Sequence, residues 1–531
     1  MSDPNATTPK LQPPSLLKSA GLIAAITVAS KFLGLVRDQL ITHHYGASLV
    51  TDAYFYAFQI PSFVLVLLGG LGGPFHTATV SILSKRVKDE AWATEEVDVL
   101  VRTFWTVTGL IFSVAAGLVF LFAPALVEVL AHHASSGLKA TAVLHLRWMT
   151  PMIVCGSVVG IFCGVSNVYH RFTWPSFAPS AINITLIIWL LMLGPDPFGY
   201  ALCVSTSLGA LLQVMMQLPD YISLKFKLWP AFDTHSPDLK TMGELFFPQA
   251  VGTTIGQINI YVAMFFISQL AAGGWTAFVL ANRLIQLPIG VLTIALLVPL
   301  FPRFSRWAEE QNTDALRHHF KQGIIALWLA SFPMIAYIWL VAEPGIALLF
   351  ERGEFTAHDT QQVAIALVVL SLSVIPYMLR DAVTRVFYAY NDSKTPLYVG
   401  LGAIVINAVL NAYLVKPLGV AGIAGATVVV TVYNAVMLTW LSRRHIRSLG
   451  FRLMVVPTLK LVVAFLVTVV VTQWTMARLP QPAYTTALYN QVIVLAETGG
   501  MVAVLYTSLV WLLRVEELTL VVDRLRARLR R

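Results

Sequence analysis

The chain has 531 residues, of which 57% are hydrophobic and 12% charged, with a formal net charge of +9 and a mean hydropathy of +0.73. Soluble domains carry about 25% charged residues, so this composition excludes an ordinary soluble globule and indicates a polytopic membrane protein. Its basic residues are dispersed among loops, not gathered on one soluble domain, which argues against a nucleic-acid partner.

Residues 1–15 are polar and proline-rich and lack the basic, apolar and small-residue regions of a signal peptide, so they are expected to form a cytoplasmic tail ahead of a retained first helix. Apolar stretches then recur at 16–42, 51–84, 98–128, 140–169, 177–194, 198–218, 241–271, 275–306, 317–342, 360–390, 397–415, 420–442, 455–476 and 492–514. Stretches of this kind can cross a hydrocarbon core of about 30 Å as helices rising 1.5 Å per residue. None alternates with the period of a barrel strand. The expected class is therefore an all-α polytopic membrane protein with about 14 transmembrane helices.

With the N-terminus in the cytoplasm, the outer side carries only Lys139, Arg352, Lys416 and Arg478, and positive-inside then puts both termini in the cytoplasm. Six cations fall inside or beside the spans: Lys31, Arg37, Arg147, Arg283, Arg380 and Arg385. A charge at mid-bilayer costs about 2.5–3.5 kcal/mol on insertion scales, so these positions are candidates for function.

A short internal repeat is present. Gln59-Ile60-Pro61 recurs as Gln286-Leu287-Pro288, Thr150-Pro151 as Ile375-Pro376, and Pro175 as Pro396, at offsets of 227, 225 and 221. An offset that spans six helices preserves direction, so it predicts two parallel six-helix lobes, a plan used by secondary transporters with the substrate between the halves. The expected organisation is tail 1–15, N-lobe 16–218, cytoplasmic linker 219–240, C-lobe 241–442, two further helices in 455–514, and a basic cytoplasmic tail 515–531. That tail reads as resting on anionic headgroups.

On the first helix Lys31 and Asp38 share a face, with Arg37 turned about 100° from Asp38 and Gly34 between them offering a bend or a close contact. These charges either line a path for an anionic substrate or neutralise each other near a helix end. Asp52 follows Thr51 at the start of the second helix, as a gate or ion-linked group or simply as a residue favoured by the helix dipole. Gly69, Gly70, Gly72, Gly73 and Pro74 fall inside one long apolar stretch and predict a hinge. Arg283 has no acid within four residues, and its planar fork suits a phosphate. Arg380, Asp381 and Arg385 read as mutually compensating, and Arg147 as reaching toward the interface.

No P-loop, GxSxG, HExxH or CxxC pattern occurs, so no catalytic residue is assigned and no nucleotide is expected to drive transport. His132-His133 lacks further ligands, and Cys155, Cys163 and Cys203 lie in apolar segments without paired spacing. Neither a metal, a cofactor nor a disulfide is expected.

The chain resembles the MurJ (MviN) family of lipid II flippases, in the multidrug/oligosaccharidyl-lipid/polysaccharide exporter superfamily. The motifs are Gly34-Leu35-Val36-Arg37-Asp38; Gly46-Ala47 with Thr51-Asp52-Ala53-Tyr54-Phe55; Arg171-Phe172 with Pro175, Pro179 and Asn183; and Pro248-Gln249-Ala250-Val251-Gly252 with Gln257-Ile258-Asn259. Ala281-Asn282-Arg283-Leu284, Phe350-Glu351-Arg352-Gly353-Glu354-Phe355-Thr356 and Phe387-Tyr388-Ala389 ahead of Lys394-Thr395-Pro396 complete them. Their order and spacing together are specific.

The resemblance implies two lobes around a cationic cavity, a polyprenyl-tail groove on the last two helices, and flipping of lipid II (undecaprenyl-pyrophosphoryl-disaccharide-pentapeptide) from the inner to the outer leaflet by alternating access. It implies substrate contacts at Lys31, Arg37 and Arg283, where Lys31 replaces the family's arginine, and gating or ion-linked roles for Asp38, Asp52, Asn407, Asn411 and Thr427. Coupling would be to the membrane potential or a monovalent cation. Leu65, Val66 and Gly70 stand where the family carries an arginine pair and a glutamate, and Ala263 where some members carry a helix 7 acid. The expected setting is the bacterial inner membrane, as a monomer among membrane lipids and in reach of cell-wall synthesis proteins. The alternatives are an exporter of another polyprenyl-linked saccharide or amphiphile, and a membrane-embedded polyprenyl-phosphate transferase.

Overall fold

The computed structural model describes residues 16–69, 73–87, 92–233, 236–297, 300–446, 451–478 and 488–515, and all regular structure among them is helical. The expectations for Gly70, Gly72, the tail 1–15 and residues 516–531 lie outside the described residues. The chain divides into two compact units, one ending at Ser268 and the other beginning at Gln269.

The first unit contains α1 (Leu16–Tyr45), α2 (Leu49–Gly69), α3 (Pro74–Arg86), α4 (Glu95–Leu121), α5 (Ala123–Leu130), α6 (Ser136–Met149), α7 (Pro151–Val168), α8 (Thr173–Phe177), α9 (Ser180–Met192), α10 (Tyr200–Met215), α11 (Leu218–Ser223) and α12 (Pro237–Ile267). Local chemistry sets many of the ends. The Thr94 side chain accepts from Val97 N at the start of α4, whose first turn holds Glu95, Glu96 and Asp98, as the helix dipole favours. Asp196 starts α10 by taking Phe198 N and Tyr200 N on Oδ1, both at 3.0 Å, and Ala201 N on Oδ2 at 2.6 Å. Ile111, Val114, Leu118 and Leu121 project outward along one face of α4, the pattern of a helix in contact with lipid.

The second unit contains α13 (Gly274–Leu292), a π-helical turn at Thr293–Leu297, α14 (Phe301–Glu309), α15 (Thr313–Phe350), α16 (Ala357–Ser371), α17 (Val374–Ala389), α18 (Lys394–Leu418), α19 (Val420–Leu441), α20 (Phe451–Arg478) and α21 (Leu488–Leu512). α16 opens on a capping box in which Thr356 and Asp359 satisfy each other's backbone N–H.

The same packings recur in both units. α2 lies on α6 as α13 lies on α16, α3 on α7 as α14 on α17, α4 on α7 as α15 on α17, and α9 on α10 as α18 on α19. The left-handed backbone positions repeat as well: Gly46 and Gly273 (227 apart), His170 and Asn391 (221 apart), and Gly199 and Gly419 (220 apart) all have positive φ. Such conformations terminate helices and aim the next one, so the repeat is carried by the turns as much as by the helices. α12, the first helix of the second repeat, packs within the first unit against α2, α3 and α5. α20 and α21 fall outside the repeat and pack on α15 and on each other.

Among the described residues each of the fourteen expected stretches contains helix, but several are broken. Eleven helices are long and apolar enough to span a membrane among the described residues, or twelve if α16 and α17, bent by 45°, form one span, so the count does not reach fourteen by that measure. α9 has 13 residues, about 20 Å of helix and less than a hydrocarbon core. α1 carries Lys31, Arg37 and Asp38 and also falls outside that set.

The α9–α10 contact depends on one missing side chain. A Cβ at Gly209 would stand 2.6 Å from Ile182 Cα, a backbone atom that cannot give way. Gly209→Ala is therefore expected to destabilise the first unit by about 1–3 kcal/mol, read as a lower thermal midpoint in detergent. The same substitution at Gly117, with nothing within 4 Å of its Cβ position, is expected to leave the midpoint unchanged.

Candidate functional site

Arg37 lies on α1 and is 9% exposed. Its Nε and Nη2 converge on Asp38 Oδ1 at 3.0 and 2.7 Å, and Nη1 donates to Asn183 Oδ1 on α9 at 2.8 Å. Asn183 Nδ2 in turn donates to Ser30 O at 3.4 Å, so the Asn183 side chain of α9 bridges the Arg37 guanidinium and the α1 backbone. The arrangement stores a cation inside the bundle with its charge balanced, as burial demands. Gly34, one turn earlier, does not interrupt α1, and a Cβ there would stand 3.8 Å from Asn183 Nδ2, an ordinary contact. Lys31 is half-buried on the same helix.

Asp52 is buried in the first turn of α2, after Thr51, whose hydroxyl donates to Gly46 O at 3.0 Å and accepts from Ser48 N at 2.8 Å. Thr51 thus builds the turn that delivers Asp52 into the bundle. Tyr54 and Thr206 share a hydroxyl hydrogen bond of 2.9 Å between α2 and α10. α2 ends at Gly69 and α3 begins at Pro74, with Gly73 extended at the cap and the proline in the first turn, where its missing N–H costs nothing. Leu65, at one departure from the family pattern, packs on α7: a Cβ at Gly156 would meet its Cδ1 at 3.1 Å. Val66 is exposed.

A polar seam along α2, α3 and α12 was missing from the sequence reading. Tyr56 donates to Met264 O at 3.0 Å, Gln59 Nε2 to Gln257 Oε1 at 3.3 Å, and Thr77 Oγ1 to Gln249 Oε1 at 2.5 Å. The signal was available, since glutamines are rare in apolar spans and usually bond across helices. Gly243, Gly252 and Gly256 of α12 have nothing within 4 Å of their Cβ positions. Close packing therefore does not explain them, and with Pro248 they weaken the helix. Ala263 is buried on the same helix.

In the second unit Arg283 is half-buried on α13, which packs on α15, α16 and α19. Asn411 Nδ2 donates to Asn407 O and Oδ1 at 2.9 and 2.7 Å, leaving Asn411 Oδ1 buried without a partner. Thr427 bonds back to Ile423 O at 3.0 Å. The bonds of Asn411 and Thr427 thus stay within their own helices. Arg385 pairs with Asp381 at 3.4 Å and Arg380 lies 4.2 Å from the Tyr377 ring centroid, while in the first unit Arg147 sits 5.2 Å from that of Phe120. Glu343 on α15 and Glu497 on α21 are exposed carboxylates inside apolar spans that a search confined to cations overlooks. Among the described residues no cluster of three or more His, Cys, Asp or Glu could hold a metal.

A cavity of about 500 Å³ opens between α15, α16, α20 and α21, lined by Trp339, Pro344, Val469, Gln473, Met476 and Thr498 among others. Its walls are mainly apolar, and Trp339 Nε1 is satisfied by Ser371 Oγ at 2.9 Å. The cavity suits a hydrocarbon chain.

The family model described as "Lipid II flippase MurJ" matches residues 41–494. A protein of Synechocystis named "Probable lipid II flippase MurJ" is 33% identical over 450 residues, covering 82% of this chain and 83% of that one. One of the same name from Vibrio cholerae is 29% identical over 434 residues, covering 80% and 82%. Among solved structures, "Lipid II flippase MurJ, inward closed conformation" superposes with a TM-score of 0.76 at 22% identity, covering 92% of this chain and 98% of that one. An inward-facing multidrug resistance MATE family transporter of the MOP superfamily gives 0.59 at 14%, covering 80% and 98%. At these identities the two structures speak to the fold alone.

Proposed function

The chain belongs to the MurJ family of lipid II flippases, and from that membership we propose that this multi-pass membrane transporter carries lipid II from the inner to the outer leaflet of the bacterial inner membrane for cell-wall synthesis. The observation that carries the reading is the family match over residues 41–494, which takes in the membrane-embedded charges Asp52 and Arg283. Lys31, Arg37 and Arg283 are the contacts for the pyrophosphate and acidic peptide, because cations inside a bundle stabilise an anionic headgroup far more than they would in water. Asp38 and Asp52 are the groups whose pairing changes as the lobes alternate. Both termini face the cytoplasm, in accord with the distribution of Lys and Arg.

The polyprenyl tail occupies the apolar cavity between α15, α16, α20 and α21 while the headgroup crosses. In the absence of a nucleotide motif, transport draws on the membrane potential or a monovalent cation. Bending of α12, weakened at Gly243, Pro248, Gly252 and Gly256, lets the two units alternate.

The binding test uses purified protein titrated with lipid II and with a polyprenyl pyrophosphate lacking the sugar and peptide. Saturable binding of both, weakening as salt is raised, is expected. Absence of binding to either would sink the assignment. Ala477→Trp, which fills the cavity at a lining position, is expected to lower affinity for long-chain lipid II roughly tenfold and to leave a short-chain analogue unaffected. Equal loss for both chain lengths would remove the tail from this cavity.

A further inference from the structure

Two contacts between a turn and a helix end stand at equivalent points of the two repeats. In the first unit the turn after α7 passes through His170, with φ 57°, and Arg171 reaches Asp220 Oδ1 at 3.4 Å and the Ser223 hydroxyl, both on α11. In the second unit the turn after α17 passes through Asn391, also with φ 57°, and Asp392 Oδ2 meets His445 Nε2 at 3.0 Å, just past α19. Arg171 and Asp392 are 221 residues apart and Asp220 and His445 are 225 apart, the spacing of the internal repeat. The polarity is reversed: the cation is on the turn in one unit and at the helix end in the other.

The reversal changes the chemistry. A guanidinium stays charged at any pH a cell meets, whereas an imidazole ordinarily changes charge between about pH 5 and 8. Asp392 is the fixed partner of its pair. It also accepts from Thr395 N at 3.0 Å and Thr395 Oγ1 at 2.7 Å. Burial works against its charge, but the bonds from His445 and Thr395 prevail and hold the carboxyl at about 2, below its ordinary 3.8. It is therefore ionised throughout the range in which an imidazole titrates. His445 is further seated by Tyr390, stacked at 5.0 Å between centroids and 14° between planes, and by the edge of Phe387 at 5.6 Å. The ionisable groups flanking the pair in the chain are Tyr390, Lys394, Arg443 and Arg444, the last three exposed, and farther along α17 lie Arg380, Asp381, Arg385 and Tyr388.

We propose that Asp392–His445 is a proton-dependent clamp. With the imidazole charged, it ties the α17–α18 turn to the end of α19; with the imidazole neutral, the tie falls to an ordinary hydrogen bond. Arg171–Asp220 holds the equivalent turn of the first unit at every physiological pH. Acidification on the side these turns face, the cytoplasm in the proposed topology, thus stiffens the α17–α18 turn of the second unit.

The test is amide hydrogen exchange on the full chain in lipid nanodiscs at pH 6 and pH 8, corrected for the intrinsic rates. Unmodified protein is expected to show protection over 390–396 that is higher at pH 6 by on the order of 3- to 10-fold. His445→Lys and the exchange Asp392→Arg with His445→Asp, which copies the first unit's polarity, are expected to protect 390–396 equally at both values. His445→Gln is expected to leave that turn weakly protected at both. Equal protection of the unmodified protein at the two pH values, or a pH dependence that survives in His445→Lys, would overturn the proposal. The readout involves no transport, so its outcome is separate from that of the flippase assignment.

Discussion

Arg37→Ala is expected to lose both stability and transport, and the two losses are separable. The substitution takes from Asp38, whose side chain is 4% exposed, the guanidinium that donates two bonds to its Oδ1. Breaking a buried ion pair from one side costs about 3–5 kcal/mol in soluble proteins, and a lipid surround offers no cheaper refuge for the charge. The thermal midpoint in detergent should therefore fall by on the order of 5–10 °C, and the amount of protein in membranes with it. Pairing the change with Asp38→Asn removes the buried negative charge that has lost the guanidinium and should return part of the midpoint. Transport is expected to stay lost in the double variant, because Arg37 is also a substrate contact. Full transport in the double variant would reduce Arg37 to a partner for Asp38. Arg37→Lys keeps the charge but cannot make two convergent bonds to Oδ1 and a third to Asn183, so an intermediate midpoint is expected.

Arg283→Ala is expected to abolish appearance of the precursor on the outer leaflet while leaving the protein at normal abundance. The residue is half-buried on α13, beside a core formed by Ala281, Ile285 and Ile289 that the substitution does not touch. The effect should fall on transport by at least a hundredfold, the scale of a lost charge-assisted contact worth about 3 kcal/mol. Arg283→Lys should recover part of it, since a point charge still attracts phosphate without matching its geometry. Normal transport with alanine would remove Arg283 from the substrate path. A parallel fall in abundance would instead make it a folding residue.

The comparison of sequence and structure separates what is local from what is not. Helix positions were legible because apolar runs between polar turns are local, and among the described residues all fourteen stretches contain helix. The repeat was legible at Pro61 and Pro288 because proline marks helix geometry. The structure adds the left-handed turns at Gly46, His170, Gly199 and their counterparts, which no residue pattern announced at His170 and Asn391. The break at Thr150 is marked by Pro151, whereas the one at Thr293–Leu297 was not legible, since apolar residues continue through it.

Side-chain partners were the least legible part of the candidate site. Arg37 and Asn183 meet across 146 residues of sequence, and the Gln59–Gln257 bond of the α12 seam spans 198. No periodicity records such meetings. Some family motifs proved architectural. In Phe350-Glu351-Arg352-Gly353-Glu354-Phe355-Thr356, Gly353 takes a positive φ, Phe355 is buried, and Thr356 caps α16 while Glu351 accepts from Thr360 at 2.7 Å. That loop aims a helix, which is reason enough for its composition.

The central claim is that this chain moves lipid II across the membrane. The most direct measurement places it in a bacterial cell depleted of its own flippase and scores growth together with the amount of precursor exposed on the outer leaflet. The account predicts rescue of growth and restored exposure by the unmodified chain, and neither by Arg283→Ala at equal abundance. Normal abundance in the membrane with no precursor on the outer leaflet would contradict it.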